Sequence, residues 1–392
     1  MVGIGTEDDI DNLGNRRIRC VGELVQTQFR IGLSKLVKNI SQKMPVALSS
    51  ADEKAPKIKS LIVIKPLTNA IRDCFSTNQL SQVADQVNPL SELTHKRRTS
   101  SLGQGGISRE RASMAIRDVH ATHYGRLCPI ETPECGNIGL INNLASYAKV
   151  NKYGFIQTPY REVVKTDKGM MITNNTSYFS AEDEKDFIIV EDNVTRDANG
   201  LIPLGIRVIC RQGGETVVKT SDEIQYIGVS PKQVVSVAAA CIPFLQNDDA
   251  KRALMGANMQ RQALPLLRPS VPYVGTGLEA KVAKDSGLAV LAEEDGTVTY
   301  VDSCLIEITE GKNVRPYRLR KFERSNQSTC INQKAIVHVG DKVKKGQIIA
   351  DGPSMINGDL ALGQNVTVAF MTWDGYNYAD AVIMSATLVK ED

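Results

Sequence analysis

Residues with the means to do chemistry gather in a few stretches of the chain. The densest is HKRRTSSLGQGGISRERASMAIR, His95 to Arg117, where Lys96, Arg97, Arg98, Arg109, Arg111 and Arg117 stand against one acid, Glu110. Loop glycines let the backbone approach a ligand closely. Arginine pairs bidentately with phosphate oxygens, and phosphate neutralisation dominates nonspecific nucleic-acid affinity. A solvated basic surface would carry the same residues. Next comes HATHYGRLCPIETPEC, with His120, His123, Cys128 and Cys135. Its H-x2-H-x4-C-x6-C spacing departs from the close ligand pairs of structural zinc sites, so turn and core residues are the better reading. Asn258, Arg261 and Gln262 cluster at the end of DDAKRALMGANMQRQAL, with Arg252 nearer its start. Near the C-terminus, WDGYNYADAV sets Asp374 and Asp380 among aromatics. No Walker A, strand-linked GxGxxG, GxSxG or HExxH pattern occurs.

The elements that must position these groups divide the 392 residues into about two or three domains. An apolar fraction of 42% with 23% charged residues is that of an ordinary globular protein. The longest apolar run, VVSVAAACIPFL, falls well short of a bilayer span. MVGIGTEDDIDN lacks the apolar core of a signal peptide. Eight cysteines without framework spacing suit free thiols in a reducing compartment. The net charge of +3 is too small to argue for nucleic acid; the clustering of charge does that.

Residues 1–56 read as an entry segment, an amphipathic helix over GELVQTQFRIGLSKLVKNISQKM and a polar linker, SSADEKAPK. Residues 57–150 mix short helices with many turn residues. Residues 151–229 carry short β-type runs, GFIQTPYREVV, FIIVED, LGIRVICR, TVVKT and IQYIGV, and predict a β-rich module. Residues 230–392 open with two helices, SPKQVVSVAAACIPFL and the DDAKRALMG segment, capped by Ser230 and by acids respectively. Strands with EDG, VGDKVKKG and NGDL turns follow. VHVGDKVKKGQIIADGP looks like the hairpin of barrel-sandwich hybrid domains, without the acceptor lysine motif of a biotinyl or lipoyl carrier. The expected fold is mixed α+β and multidomain: a mixed helical and loop region, a β-rich module, and a β-barrel or sandwich-barrel hybrid region.

DDIDNLGNRRIRCVGEL (8–24), NQLSQVADQVNPLSELTHKRR (78–98), RDVHATHYGRLCPIETPE (117–134), KQVVSVAAACIPFLQNDDAKRALMGANMQRQALPLLRP (232–269) and RSNQSTCINQ (324–333) closely resemble the beta subunit of bacterial-type multisubunit RNA polymerase. The blocks keep that family's order and correspond to its central part. The resemblance implies a fork loop over Leu102–Ser113 with Arg109 and Arg111 facing nucleic acid. It implies an adjoining turn of Pro133, Glu134, Asn137 and Ile141 by the RNA–DNA hybrid. Arg252 would lie near the incoming triphosphate, and Asn258, Arg261 and Gln262 would line the hybrid channel. A rifamycin-type pocket would comprise Gln82, Val83, Asp85, His95, Arg98, Ser100, Leu102 and Ile141.

Several positions depart from the family pattern. Val83 replaces a Phe, which predicts weakened inhibitor binding; Gln104 replaces the proline of LGPGG; Cys135-Gly136 replace Gly-Pro. Ala379-Asp380 stand where the family has Glu-Asp, so Asp380 alone would serve the second magnesium, indirectly. The reaction implied is two-metal nucleotidyl transfer, with the permanent Mg2+ held by the beta-prime subunit. The implied partners are beta-prime, alpha and sigma-type subunits, the remaining beta segments, template DNA, the RNA transcript and nucleoside triphosphates, with no membrane. The implied setting is the cytoplasm or the interior of an organelle with a bacterial-type polymerase. No activity is expected of the chain alone. A noncatalytic or engineered fragment that binds nucleic acid or polymerase partners is the alternative.

Overall fold

The computed structural model describes residues 9–49, 58–167, 169–311 and 313–391; the expected SSADEKAPK linker lies almost wholly outside them. The chain divides into two compact units, Met1–Val83 with Thr99–Val234, and Ala84–Arg98 with Val235–Asp392. Mixed helices and sheets form both, as the sequence predicts.

In the first unit the long helix Val21–Ser49 lies against Lys65–Ser76. Gly32 permits that approach, because a Cβ there would come within 3.0 Å of the Ala70 Cβ. The β-rich module is a seven-stranded sheet. Lys149–Val150, Ile156–Thr166, Tyr226–Gly228, Ile189–Val190, Arg207–Gln212 and Glu215–Thr220 pair in that order, and Gly169–Phe179 joins Ile156–Thr166. The last strand is absent from the sequence-based expectation. MMITNNTSYF has a polar middle, TNNTS, that breaks any apolar–polar alternation. Pairing with Ile156–Thr166 and the burial of Gly169 and Met170 at its start hold it in place. The module's core is Val163, Met170, Val190, Ile202, Val208, Cys210, Ile224 and Ile227. At Gln212–Glu215 the chain reverses through Gly213 and Gly214, both at positive φ, the backbone a tight hairpin requires.

The predicted helix over 230–245 is broken, and its two pieces fall in different units. Ser230 caps a single 3-10 turn, Pro231–Gln233, and Ser236 caps a separate short helix, Val237–Ala240. Ser236 competes for the backbone donors that a continuous helix would use, and Pro243 stops the second piece. The helix Ala250–Gln260 forms as predicted, with the Asp249 carboxylate accepting from Lys251 N. It packs through Ala257 with Leu90, Ala238, Val282 and Leu360.

Of the expected β-barrel or sandwich-barrel hybrid, the strands take the open, sandwiched form. Among the described residues they make open sheets. One runs Asn313–Arg318, Leu305–Glu310, Gly296–Val301, Lys342–Val343; the other runs Val290–Leu291, Ile348–Asp351, Lys334–Ala335. Both contribute to one core through Val298, Ile306, Ile308, Val343, Ile349 and Ala350. Pro316 lies in the edge strand, where its missing N–H blocks a further ladder. The result is a sandwich rather than a closed cylinder.

Candidate nucleic-acid interface

The basic loop of the first unit is built on a short ladder. Thr99 Oγ1 donates to Asn142 O at 3.2 Å and Ser101 N to Leu140 O at 2.8 Å. Above it the chain closes on itself, Ile107 N donating to Ser101 O at 2.9 Å. Arg16 Nη2 holds Ser101 Oγ at 2.6 Å, and Gln28 Nε2 donates to Gln104 Oε1 at 2.8 Å. Gln104 therefore anchors the loop by a side-chain hydrogen bond at the position where the family has proline. Leu102 is buried. Beyond it Ser108 leads into one 3-10 turn, Arg109–Arg111, whose side chains are exposed and make no ion pair among the described residues. A cleft of about 890 Å³ opens beside it, lined by residues including Gln28, Asp73, Asn78, Gln104, Arg109 and Glu110.

The adjoining 131–143 turn is fastened from several sides. Arg117 Nη1 donates to Gly136 O at 2.7 Å and Ile138 O at 3.0 Å. Thr132 Oγ1 donates to Ile141 O and accepts from Gly139 N. Gly139 sits at φ 71°, where an added Cβ would lie 2.4 Å from Arg117 O. These bonds leave Glu134 exposed and Pro133, Asn137 and Ile141 half-buried at one turn. Arg117 counted only as charge in the sequence; its role as a staple was not readable there.

The same unit explains the His and Cys residues. His123 is buried with its Nδ1 accepting from His120 N at 2.6 Å, and His120 Nε2 lies 2.7 Å from Asp9 Oδ2. Burial, reinforced by Arg16, His120 and Arg126, depresses His123 to about 4. Cys128 Sγ accepts from Glu131 N, and Cys135 is exposed. No group of three potential metal ligands comes together among the described residues. Behind the turn Arg126, fully buried, donates to Ile156 O, Thr122 O, Tyr124 O and Phe179 O and to the Glu184 carboxylate at 2.5 Å. Glu184 also accepts from Arg211 at 3.0 Å, and Arg211 lies 3.8 Å over the Tyr124 ring.

In the second unit residues expected at two different sites come together. Asn88 caps the helix Pro89–Lys96 in a reciprocal box with Ser91. Its Nδ2 donates to Gln260 O at 3.0 Å and Ala263 O at 2.9 Å. That ties the 84–98 segment to the end of Ala250–Gln260, where Arg261 bonds Asn258 Oδ1. His95 Nδ1 accepts from Asp85 N at 2.9 Å. Burial lowers the His95 pKa, Arg98 and Arg261 lower it further, and Asp85 opposes them. Asp85, His95, Arg98, Asn258 and Arg261 thus form one polar neighbourhood, while Gln82, Val83, Ser100, Leu102 and Ile141 belong to the first unit. Val83 is 74% exposed. Arg252 is exposed on the helix, its Nη1 3.7 Å from Met255 Sδ. Gln262 is exposed just past the helix end.

Family models match three parts of the chain: RNA polymerase Rpb2 domain 3 over residues 82–150, the RNA polymerase beta subunit external 1 domain over 160–230, and Rpb2 domain 6 over 291–392. The DNA-directed RNA polymerase subunit beta of Mycoplasma mycoides is 56% identical over 390 residues, 99% of this chain and 30% of that protein. That of Streptococcus sanguinis is 55% identical over 391 residues, all of this chain and 32% of that one. That of Bartonella henselae is 54% identical over 397 aligned residues, 28% of its length. The chain belongs to the RNA polymerase beta-subunit family. It spans about a third or less of the curated beta subunits it matches.

Within the beta-subunit family frame, the external 1 match falls on the seven-stranded module, and the domain 3 match on the basic loop and its turn. The domain 6 match takes in the sandwich and the exposed WDGYNYADAV stretch. There Trp373 N donates to Asn377 Oδ1 at 2.9 Å, and Asp374 and Ala379 take positive φ. Asp380 is exposed and belongs to no cluster of potential metal ligands among the described residues.

Proposed function

We propose that this chain acts as a segment of a DNA-directed RNA polymerase beta subunit, lining the RNA–DNA hybrid and active centre during templated RNA synthesis. The observation that carries the reading is the basic turn Arg109–Arg111, exposed and without an ion pair among the described residues, on a loop fixed at its base by Arg16, Gln28 and the Thr99–Asn142 ladder. Rigid support under uncommitted charge is what phosphate contact requires. Arg109 and Arg111 would touch backbone phosphates, and Pro133, Glu134, Asn137 and Ile141 would shape the neighbouring wall. Asn258, Arg261 and Gln262 would contact the hybrid, and Arg252 the triphosphate. A rifamycin-type inhibitor would use Gln82, Asp85, His95, Arg98, Ser100, Leu102 and Ile141, with affinity reduced by Val83 where the family has Phe.

Magnesium enters through another polypeptide in this reading. The described donors do not fit an ion site, since Asp380 has Ala379 where a second acid would stand. The beta-prime subunit would hold the permanent ion, and alpha, sigma-type and remaining beta segments would complete the enzyme in the cytoplasm or an organelle interior. Reconstitution tests this. Template-directed, magnesium-dependent RNA synthesis is expected when the chain is assembled with beta-prime, alpha and the other beta segments, and none from the chain alone. Synthesis by the chain alone, or an inactive complete assembly, overturns the proposal.

A further inference from the structure

The segment that carries Asp85 is held from a distant part of the sequence. A two-stranded ladder, Glu323–Arg324 with Cys330–Ile331, ends in a tight loop. That loop is locked internally: Ser325 N donates to Thr329 O at 2.9 Å, Thr329 N to Ser325 Oγ at 2.9 Å, and Arg324 Nη2 to Ser328 Oγ at 2.8 Å. Ser328 takes φ 65°, a backbone conformation that a serine holds only under local constraint.

From this rigid base the loop reaches the 84–86 backbone within the same unit. Gln86 N donates to Gln327 Oε1 at 2.7 Å, and Gln327 Nε2 donates to Ala84 O at 3.2 Å. Asn326 Nδ2 donates to Ala84 O at 3.0 Å, and Asn326 N to Gln86 Oε1 at 3.2 Å. Thr329 Oγ1 donates to Gln86 O at 3.1 Å. The backbone N–H of Asp85 is taken by His95. Together these bonds engage the Ala84 carbonyl, the Asp85 amide and both backbone polar groups of Gln86.

We infer that the Asn326–Thr329 loop is the positioning element of the 84–86 segment, and so sets how tightly Asp85 and His95 engage a bound group. Asn326, Gln327 and Thr329 are positioning residues, not contacts. The step from backbone position to ligand affinity rests on the proposed inhibitor pocket; the clamp itself does not.

Rifampicin titration of the assembled polymerase is the test, run beside amide hydrogen exchange on the full chain. Gln327→Met and Thr329→Val are each expected to weaken binding about three- to tenfold, the effect of losing one or two hydrogen bonds. Thr329→Ser, which keeps the hydroxyl, restores affinity to within about twofold, below what a single hydrogen bond contributes. Ile308→Val in the sandwich core lowers Tm without moving affinity, which separates positioning from general destabilisation. Unchanged affinity in Gln327→Met and Thr329→Val, with Asp85→Ala weakened, overturns the inference. If Asp85→Ala is also silent, the pocket reading fails instead, and exchange decides the clamp. Faster exchange of the Gln86 amide in Gln327→Met upholds the clamp, and unchanged exchange refutes it.

Discussion

Arg126 and Arg109 lie in one loop-rich region of one unit, and the fold uses them in opposite ways. Arg126 is fully buried and directs its donors to four backbone carbonyls and one carboxylate. Glu184, its partner, is shared with Arg211, which in turn covers the Tyr124 ring. Arg109 stands exposed on a single turn, its base fixed and its charge uncommitted. The contrast separates two meanings of a basic residue. A guanidinium whose hydrogens are taken by the protein belongs to the scaffold. One held out on a stiff support belongs to whatever docks there.

The largest effect that tests this distinction is at the closed end. Arg126→Met leaves Glu184 buried beside Arg211 alone and frees four carbonyls, so it should destabilise by about 3–5 kcal/mol in urea unfolding. Removing Glu184 as well, Arg126→Met with Glu184→Leu, should recover much of that loss. If the single variant unfolds no earlier than the parent, the network is not structural. His123, packed against the same region, gives the next effect. Its folded pKa of about 4 lies below the ordinary histidine value of 6.5, so the unfolded chain binds the extra proton first. Its contribution is therefore fully present above pH 6.5 and lost as pH falls towards 4, by roughly 3 kcal/mol. His123→Gln should flatten unfolding free energy across that window; a slope unchanged by the substitution would show that another group titrates there.

What the sequence disclosed follows the same division. Clustered charge around glycines marked the 95–117 loop, because open charge is visible in composition. The amphipathic helix before residue 50 and most strands of the 151–229 module were readable from apolar spacing. Arg126, Glu184 and Arg117 were not, because their roles depend on carbonyls brought close only by folding. The Gly169–Phe179 strand was hidden for a related reason: ladder pairing with Ile156–Thr166, rather than side-chain alternation, holds much of it. The broken 230–245 helix shows a local competitor winning, since Ser236 caps where an apolar run alone suggested continuity. The neighbourhood of Asp85, His95 and Arg261 joins segments far apart in the chain, which no local pattern predicts.

Gly139 lies between the two extremes, in the turn that Arg117 staples. Its positive φ and the nearness of Arg117 O make Gly139→Ala costly by about 1–3 kcal/mol. The assembled polymerase should also hold an RNA–DNA hybrid less tightly, since the 133–141 wall shifts. A stable variant with parental hybrid affinity would detach this turn from the interface.

The smallest effect on the fold should come from Arg109→Ala and Arg111→Ala, and it is the one that decides the open end of the comparison. Neither side chain makes an ion pair among the described residues, so Tm should not move. Hybrid affinity of the assembled enzyme should fall for all sequences alike. The slope of log affinity against log salt should flatten by about one for each arginine removed, as one phosphate contact is lost. A Tm shift with an unchanged salt slope would place these arginines with Arg126, in the scaffold, and leave the loop's exposed charge without a ligand to serve.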